Sequence, residues 1–408
     1  MRIVSVTVQF RRTASINTEV IRMKKALTLL LAAAMALSLA ACAKNGTNDD
    51  GKSNADGDNY AADNTEYFIG GTGPLTGDAS SYGISVQEGA QLAIDKINEN
   101  GGLNGKTFKF DMKDDKAAAA DAQSGYDMLY EAGMQISIGS TTSGSCASFA
   151  EKAAADNLFF ITPSASAANV IEGKSNAFRV CFGDPDQGIL AAKEFKDRGY
   201  EKIGAIYDTS DPYSSGIYEA FKGEMETLGL EFETQTFDAE NKKDFSTQAE
   251  ALKDCDVIFL PFYYTEAGLV AKAVSAKGSE ALLFGCDGLD GVADQIDATV
   301  TNEIQYITPF DVNSTETATK EFVDAYKAKY GKAPDQFAAD AYDAVNIILA
   351  AMKAAGIDDV TIDPSTLCDK VVAAITDSSF TYTGATGTMT WDASGACNKV
   401  PVIVTLNK

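Results

Sequence analysis

The sequence predicts an α/β chain folded as two doubly wound lobes, each a parallel sheet with helices on both faces. Short apolar runs rich in Val, Ile, Leu and Phe alternate with segments whose apolar residues recur every three or four positions, the patterns of buried strands and amphipathic helices. The alternation runs from residue 67 to residue 162 and starts afresh at residue 202. At 408 residues, 45% of them hydrophobic, the chain has material for two cores.

The N-terminal part stands outside this pattern. From Met23 the chain reads MKKALTLLLAAAMALSLAAC: Lys24 and Lys25, an apolar run, then Leu39-Ala40-Ala41-Cys42. That is the layout of a secretory signal, too short and too soon followed by polar residues for a spanning helix. Its last four residues resemble a bacterial lipobox, which implies removal of residues 1–41 and a diacylglycerol on Cys42. The lipid alone would then hold the protein to the outer face of the cell membrane. Residues 1–22 carry no leader pattern and read as an upstream extension. Residues 42–65, rich in Asn, Asp and Gly, hold little to bury and read as a flexible tether.

The strands and helices follow in order. The run YFIGGTG opens as a strand, and Val86, Ala90, Ala93, Ile94 and Ile97 mark the first helix, with Ser85 and Glu88 at capping-box spacing and Gly101-Gly102 as its stop. Then come a strand over 107–112, a helix over 117–132, a strand over 135–139, a helix over 145–157 and a strand over 158–162. The second series places strands at 202–207, 230–236, 257–262, 282–284 and 303–309, with helices at 216–228, 246–253 and 266–277 between them. Helices over 317–330, 337–355 and 365–376 follow, then a hairpin in TYTGATGTMTWDASG and a final strand in VPVIVTL.

Charge and composition exclude several functions. Up to Ala41 six basic residues stand against one acid, so the net charge of −24 becomes −29 over residues 42–408. So acidic a body repels nucleic acid and anionic lipid alike. The chain contains no histidine. That removes Ser-His-Asp and Cys-His catalysis, His-ligated zinc and haem, each of which needs an imidazole. Beyond Cys42 lie Cys146, Cys181, Cys255, Cys286, Cys368 and Cys397. An exported setting permits disulfides among them and equally leaves them as free buried thiols, and no C-x-x-C spacing points to metal.

Three motifs suggest chemistry and fail on spacing. In GTGPLTG the third glycine comes one place late for a dinucleotide fingerprint, and Asp114 and Asp115 lie roughly forty positions on, not about twenty. Asn104-Gly105-Lys106-Thr107 lacks the first glycine of a phosphate loop and leads into a strand. Ser143-Gly144-Ser145 lacks the G-x-S-x-G spacing of a nucleophile elbow and has no histidine to activate it. What the strand ends do carry is hydroxyls and aromatics. Ser143 stands at a helix N-terminus, where free N–H groups favour an anion, and Thr162-Pro163-Ser164-Ala165-Ser166 offers small residues at the next strand end.

The segments YFIGGTGPLTGDASSYGISVQEGAQLAIDKINENGGLNGKTF and ISIGSTTSGSCASFAEKAAADNLFFITPSASAANV resemble two blocks of the branched-chain amino acid (leucine/isoleucine/valine) binding proteins, the extracytoplasmic receptors of ABC importers. The resemblance runs from about Tyr67 to the C-terminus. It implies a type I periplasmic-binding fold with a three-strand hinge, lobe 1 taking residues 66–183 and 311–396 and lobe 2 residues 184–310 and 397–408. It places the ligand carboxylate on Ser143 and on the backbone and hydroxyls of Ser164, Ala165 and Ser166, with Tyr82 at the rim of lobe 1. In lobe 2 it places aromatics at Tyr213 and Tyr263 and the acid for the ligand ammonium at Asp287, with Phe337 as an aromatic from lobe 1.

Two departures stand out: the family's usual acid at position 287 is Glu, and Thr142 stands where well-known members have a cysteine, so their local disulfide is absent. The implied function is capture of a branched-chain or other small apolar amino acid and its delivery to permease subunits and their ATPases, by an expected monomer with no cofactor, no metal and no enzymatic step. The same fold also serves other small polar solutes, such as amides, urea-like compounds or aromatic acids, and sensory ligand-binding proteins.

Overall fold

The computed structural model describes residues 59–406. The signal segment, Cys42 and the first part of the tether lie outside them. Residues 59–65, expected as the end of the tether, pack onto the body: Ala61 is buried, Asn59 Nδ2 donates to Thr361 O and Asn64 Nδ2 to Gly133 O.

The first half alternates β1 (Tyr67–Gly73), α1 (Ser80–Glu99), β2 (Phe108–Asp114), α2 (Ala119–Glu131), β3 (Ile136–Ser137), α3 (Ser143–Ala155), β4 (Phe160–Thr162), the short α4 (Ala168–Ile171) and β5 (Ala177–Arg179). Its five strands run parallel in the order β2-β1-β3-β4-β5. Helix α5 (Asp184–Arg198) then leads into β6 (Ile203–Asp208), α6 (Pro212–Leu228), β7 (Glu233–Phe237), α7 (Ser246–Leu252), β8 (Val257–Leu260), α8 (Tyr264–Ala276), β9 (Leu282–Gly285) and β10 (Ile304–Thr308). Helices α9 (Thr317–Tyr330), α10 (Gln336–Ala354) and α11 (Pro364–Ile375), the hairpin β11 (Tyr382–Gly384) and β12 (Gly387–Met389), and β13 (Val402–Thr405) complete the chain. The second sheet has the order β13-β10-β9-β8-β6-β7, parallel except for β13, which runs antiparallel to β10 at the edge.

Burial explains the patterns. The central strands β8 and β9 are covered on both faces and are apolar throughout, whereas the edge strand β7, ETQTF, is partly exposed. In β1, Phe68 faces the cluster formed by Tyr126, Leu129 and Phe149 of α2 and α3, while Tyr67 and Ile69 face α1 and α10. The second sheet divides in the same way, Phe259 toward Phe195 and Phe221 of α5 and α6, and Ile258 toward Leu252 and Val270 of α7 and α8.

The chain passes between the sheets three times, at 180–183, 309–316 and 390–401. The first and third passages are tied together: Arg179 N donates to Gly395 O, and Trp391 Nε1 donates to Arg179 O at 2.8 Å. Buried Lys399 pairs with Asp340 of α10 and donates to Thr386 Oγ1. This fixes the third passage to the first lobe.

Several boundaries differ from those read in the sequence. Helix α1 starts at Ser80, five residues before the expected capping box, and that box does not form: Ser85 Oγ donates to Asp335 Oδ2 at 2.5 Å, and Glu88 receives Tyr326 and Lys332. Helix α6 starts at Pro212 behind an Asp211 cap, four residues earlier than expected. Gly73 and, inside α1, Gly83 serve packing: a Cβ on Gly73 would lie 2.2 Å from Met112 Cε and one on Gly83 2.1 Å from Pro74 O, whereas Gly77 has open space around it and a left-handed φ of 89°.

Helices α1 and α10 meet where Gly89 leaves no room, since an added Cβ would stand 2.1 Å from Ala338 O. Gly89→Ala is therefore expected to force the two helices apart and cost about 1–3 kcal/mol, read as a lower denaturation midpoint than wild type.

Candidate functional site

In both sheets the strand order reverses, at β1/β3 and at β6/β8, and clefts in open parallel sheets form beyond the carboxyl ends of strands at such points. Beyond those ends, where the lobes meet, lies a small cavity of about 10 Å³. Seven of the nine residues expected at the site line it: Tyr82, Ser143, Ser164 and Phe337 from the first lobe, and Tyr213, Tyr263 and Asp287 from the second. Ala165 and Ser166 do not; both are fully buried behind it. Thr141, Thr142 and Gly288 complete the lining.

One wall is built of donors. Ser143 is the first residue of α3 and Thr142 its cap position, with no side chain capping the helix's first N–H groups. Ser143 Oγ accepts from the N–H groups of Ser166 and Ala167, both at 3.2 Å, and Ser164 Oγ donates to Thr141 O at 2.8 Å, which locks the two strand ends together. The hydroxyls of Thr142 and Ser145 are buried without a hydrogen-bond partner. Uncapped helix amides beside unpartnered hydroxyls suit an anion.

The opposite wall carries a carboxylate. Asp287 opens a 3-10 turn after β9 and is 4% exposed. Its Oδ1 accepts from the Tyr213 hydroxyl at 2.5 Å and from Gln187 Nε2 at 3.0 Å, while its own N–H donates to Gln187 Oε1 at 2.9 Å. Gln336 Nε2, from α10 of the other lobe, donates to its carbonyl at 2.6 Å. Burial pushes the Asp287 carboxyl up to about 6, against the opposing pull of the Tyr213 and Gln187 hydrogen bonds.

Aromatic rings fill the space between. Tyr213 and Tyr263 stack at 5.0 Å, and Tyr82 lies 4.2 Å from Phe337 and 5.7 Å from Tyr263. Tyr82 is no rim residue: it is 2% exposed, its hydroxyl donates to Gly288 O across the cleft, and it accepts from Tyr264 N at 3.2 Å. A groove sharing Thr142 and Tyr263 with the cavity leads outward, and at its mouth Lys242 bridges Asp78 of one lobe and Glu266 of the other.

A family model described as periplasmic binding protein matches residues 66–402. The chain belongs to the periplasmic binding protein family. It is 28% identical over 291 residues to the Leu/Ile/Val-binding protein BraC3 of Rhizobium johnstonii, covering 71% of this chain and 79% of that one. With the leucine-, isoleucine-, valine-, threonine- and alanine-binding protein of Pseudomonas aeruginosa it shares 28% over 328 residues, 79% of this chain and 85% of the other. Among solved structures, the branched-chain amino acid transporter substrate-binding protein LivJ of Streptococcus pneumoniae, in complex with isoleucine, superposes with a TM-score of 0.75 at 28% identity, over 84% of this chain and 96% of that one. A benzoate-bound solute-binding protein of R. palustris gives 0.73 at 20% identity, over 83% and 92%, a likeness of fold alone. These relatives are substrate-binding proteins and not enzymes, and this chain is a solute-binding protein of the same type.

Several groups of this periplasmic binding protein's site lie outside the residues that the family resemblance names. Gln187 and Asp184 sit on α5, whose start, Asp184-Pro185-Asp186, and stop, Gly199, are legible signals in the sequence. Asp184 is buried, and that burial raises its carboxyl well above the usual range against the pull of the Ser166 hydroxyl. All six cysteines in the described residues carry free thiols.

Below the Asp287 turn, Asp290 Oδ2 accepts from Gln336 N at 3.3 Å, next to Asp335, the cap of α10. Burial and the neighbouring Asp335 charge push the Asp290 carboxyl up to about 7. A raised carboxyl favours the folded form when protonated, so its contribution is full below the unfolded value and is lost as pH rises through about 7. Asp290→Asn is expected to raise the melting midpoint at pH 8 and leave it nearly unchanged at pH 4, measured by calorimetry at both.

Proposed function

We propose that the protein captures a branched-chain or other small apolar amino acid between its lobes and hands it to the permease of an ABC importer. One observation carries this reading: a single cavity sets the Asp287 carboxylate opposite the uncapped start of α3 with the unpartnered Thr142 hydroxyl, and aromatic rings lie between them. A zwitterion needs both ends met when buried, because an unpaired charge costs several kcal/mol. Asp287 would take the ammonium, Ser143, Ser164 and the α3 amides the carboxylate, and Tyr82, Tyr213, Tyr263 and Phe337 the side chain. An aromatic acid would bring a second negative charge toward Asp287 and nothing to neutralise it.

In this reading the lobes comprise residues 66–183 with 311–396, and 184–310 with 397–408. Ligand bound by both walls stabilises the shut form, and that difference in affinity drives closure. Cys42 carries the lipid that keeps a monomeric body at the outer face of the membrane.

Leucine, isoleucine, valine, alanine, threonine and benzoate at a hundredfold their dissociation constants each add about 2.7 kcal/mol to a protein that binds them. The expected outcome is a rise in melting midpoint with one or more of the amino acids and none with benzoate; five unmoved amino acids would sink the reading. In Asp287→Ala the affinity for the amino acid should fall by about thirtyfold or more, since truncating one partner of a buried charge pair costs about 2–5 kcal/mol. Calorimetric titration reads this, with circular dichroism to confirm the fold.

A further inference from the structure

Asp287 is a buried carboxylate with no lysine or arginine within ion-pair distance among the described residues. Its ionised form rests on hydrogen bonds. Both side chains that donate to it, Tyr213 and Gln187, use Oδ1, which leaves Oδ2 for a ligand in the cavity that Asp287 lines. The Tyr213 hydroxyl donates at the shorter distance, 2.5 Å, and also accepts from Gly288 N at 2.9 Å. Gln187 is fully buried, and its amide grips Asp287 twice, donating to the carboxylate and accepting from the backbone N–H of the same residue. That double contact sets both the rotation of the side chain and the position of the turn.

We propose that Gln187 is the positioning residue of the ammonium subsite: its two-point amide contact fixes Asp287 with Oδ2 toward the cavity. The proposal rests on the amino acid reading of the site and names, beside Tyr213, the second side chain that supports the ionised carboxylate. The remaining groups facing Asp287 give it no such support. Tyr82 from α1, Cys181 from the first passage, Cys286 on the same turn and Asp184 from α5 are neutral or negative in their own ionisation, so none supplies a compensating positive charge. A ligand ammonium needs the carboxylate, so affinity should fall as pH drops through the Asp287 titration, and loss of the Gln187 donor should move that fall upward.

The test uses the full chain and two variants. Gln187→Met removes the donor at nearly constant size, and Gln187→Glu keeps the acceptor for the Asp287 N–H while adding a like charge. In the ligand-free protein labelled with 13C at aspartate carboxyls, the resonance lost in Asp287→Asn reports the titration directly. It should move up by about one pH unit in Gln187→Met, tenfold in the equilibrium, and further in Gln187→Glu. Leucine titrations between pH 5 and 8 should show the acid limb of affinity displaced in the same order. An Asp287 titration that coincides with wild type in Gln187→Met overturns the proposal; should that variant not fold, a titration at or below wild type in Gln187→Glu does so. Wild type that binds no amino acid at any pH would instead refute the functional reading, and the carboxyl titration would still decide the role of Gln187.

Discussion

The organisation of the cleft depends on one unbalanced charge. Asp287 is withdrawn from water at the junction of the lobes, and the contacts that hold it are hydrogen bonds, two on its carboxylate and two on its backbone. In a low-dielectric setting such a group is tolerated only while those donors stay in place, and it is most comfortable when a cation arrives. Elements far apart in sequence converge for this purpose: α5 brings Gln187, α6 brings Tyr213, and α10 sends Gln336 from the opposite lobe. The turn bearing Asp287 is thereby gripped from both halves of the molecule.

The two walls complement each other because the fold places strand ends face to face. Parallel strands deliver their loops to one edge of each sheet, and the helix starts that follow point their amides the same way. Ser143 illustrates the economy of this arrangement. Its hydroxyl joins the loop after β3 to the loop after β4, while the helix it opens keeps its first N–H groups unclaimed. Opposite, the Tyr82 hydroxyl reaches the backbone of the second lobe and seals the aromatic layer.

Periodicity made most of this fold legible, because strands buried on both faces and helices with one apolar stripe leave strong local signatures, as in VIFL of β8 and the Val86-to-Ile97 series of α1. It failed where structure is set by tertiary contacts. The strand β5 is three residues long, and α5 buries Gln187, Gly188, Ala191 and Ala192 with Phe195 as its one large apolar side chain, so its apolar stripe is weak although its caps are legible. The capping box at Ser85 failed because that hydroxyl found Asp335, some 250 residues away, and the helix continued past it to Ser80. Of the candidate site, the residues at strand ends could be named from the family resemblance, but Gln187 and Gln336 act through contacts that no spacing in the chain encodes. Residues 59–65 look like linker by composition and are nonetheless anchored by two asparagine side chains.

The last strand, β13, comes from the final residues of the described chain and completes the edge of the second sheet beside β10. During synthesis from the N-terminus β13 emerges well after β10, so the flank of β10 stays uncovered in the interval. An uncovered strand flank is a template for pairing with a neighbouring molecule. Loss of β13 therefore harms the molecule by opening a route to self-association more than by removing any part of the cleft.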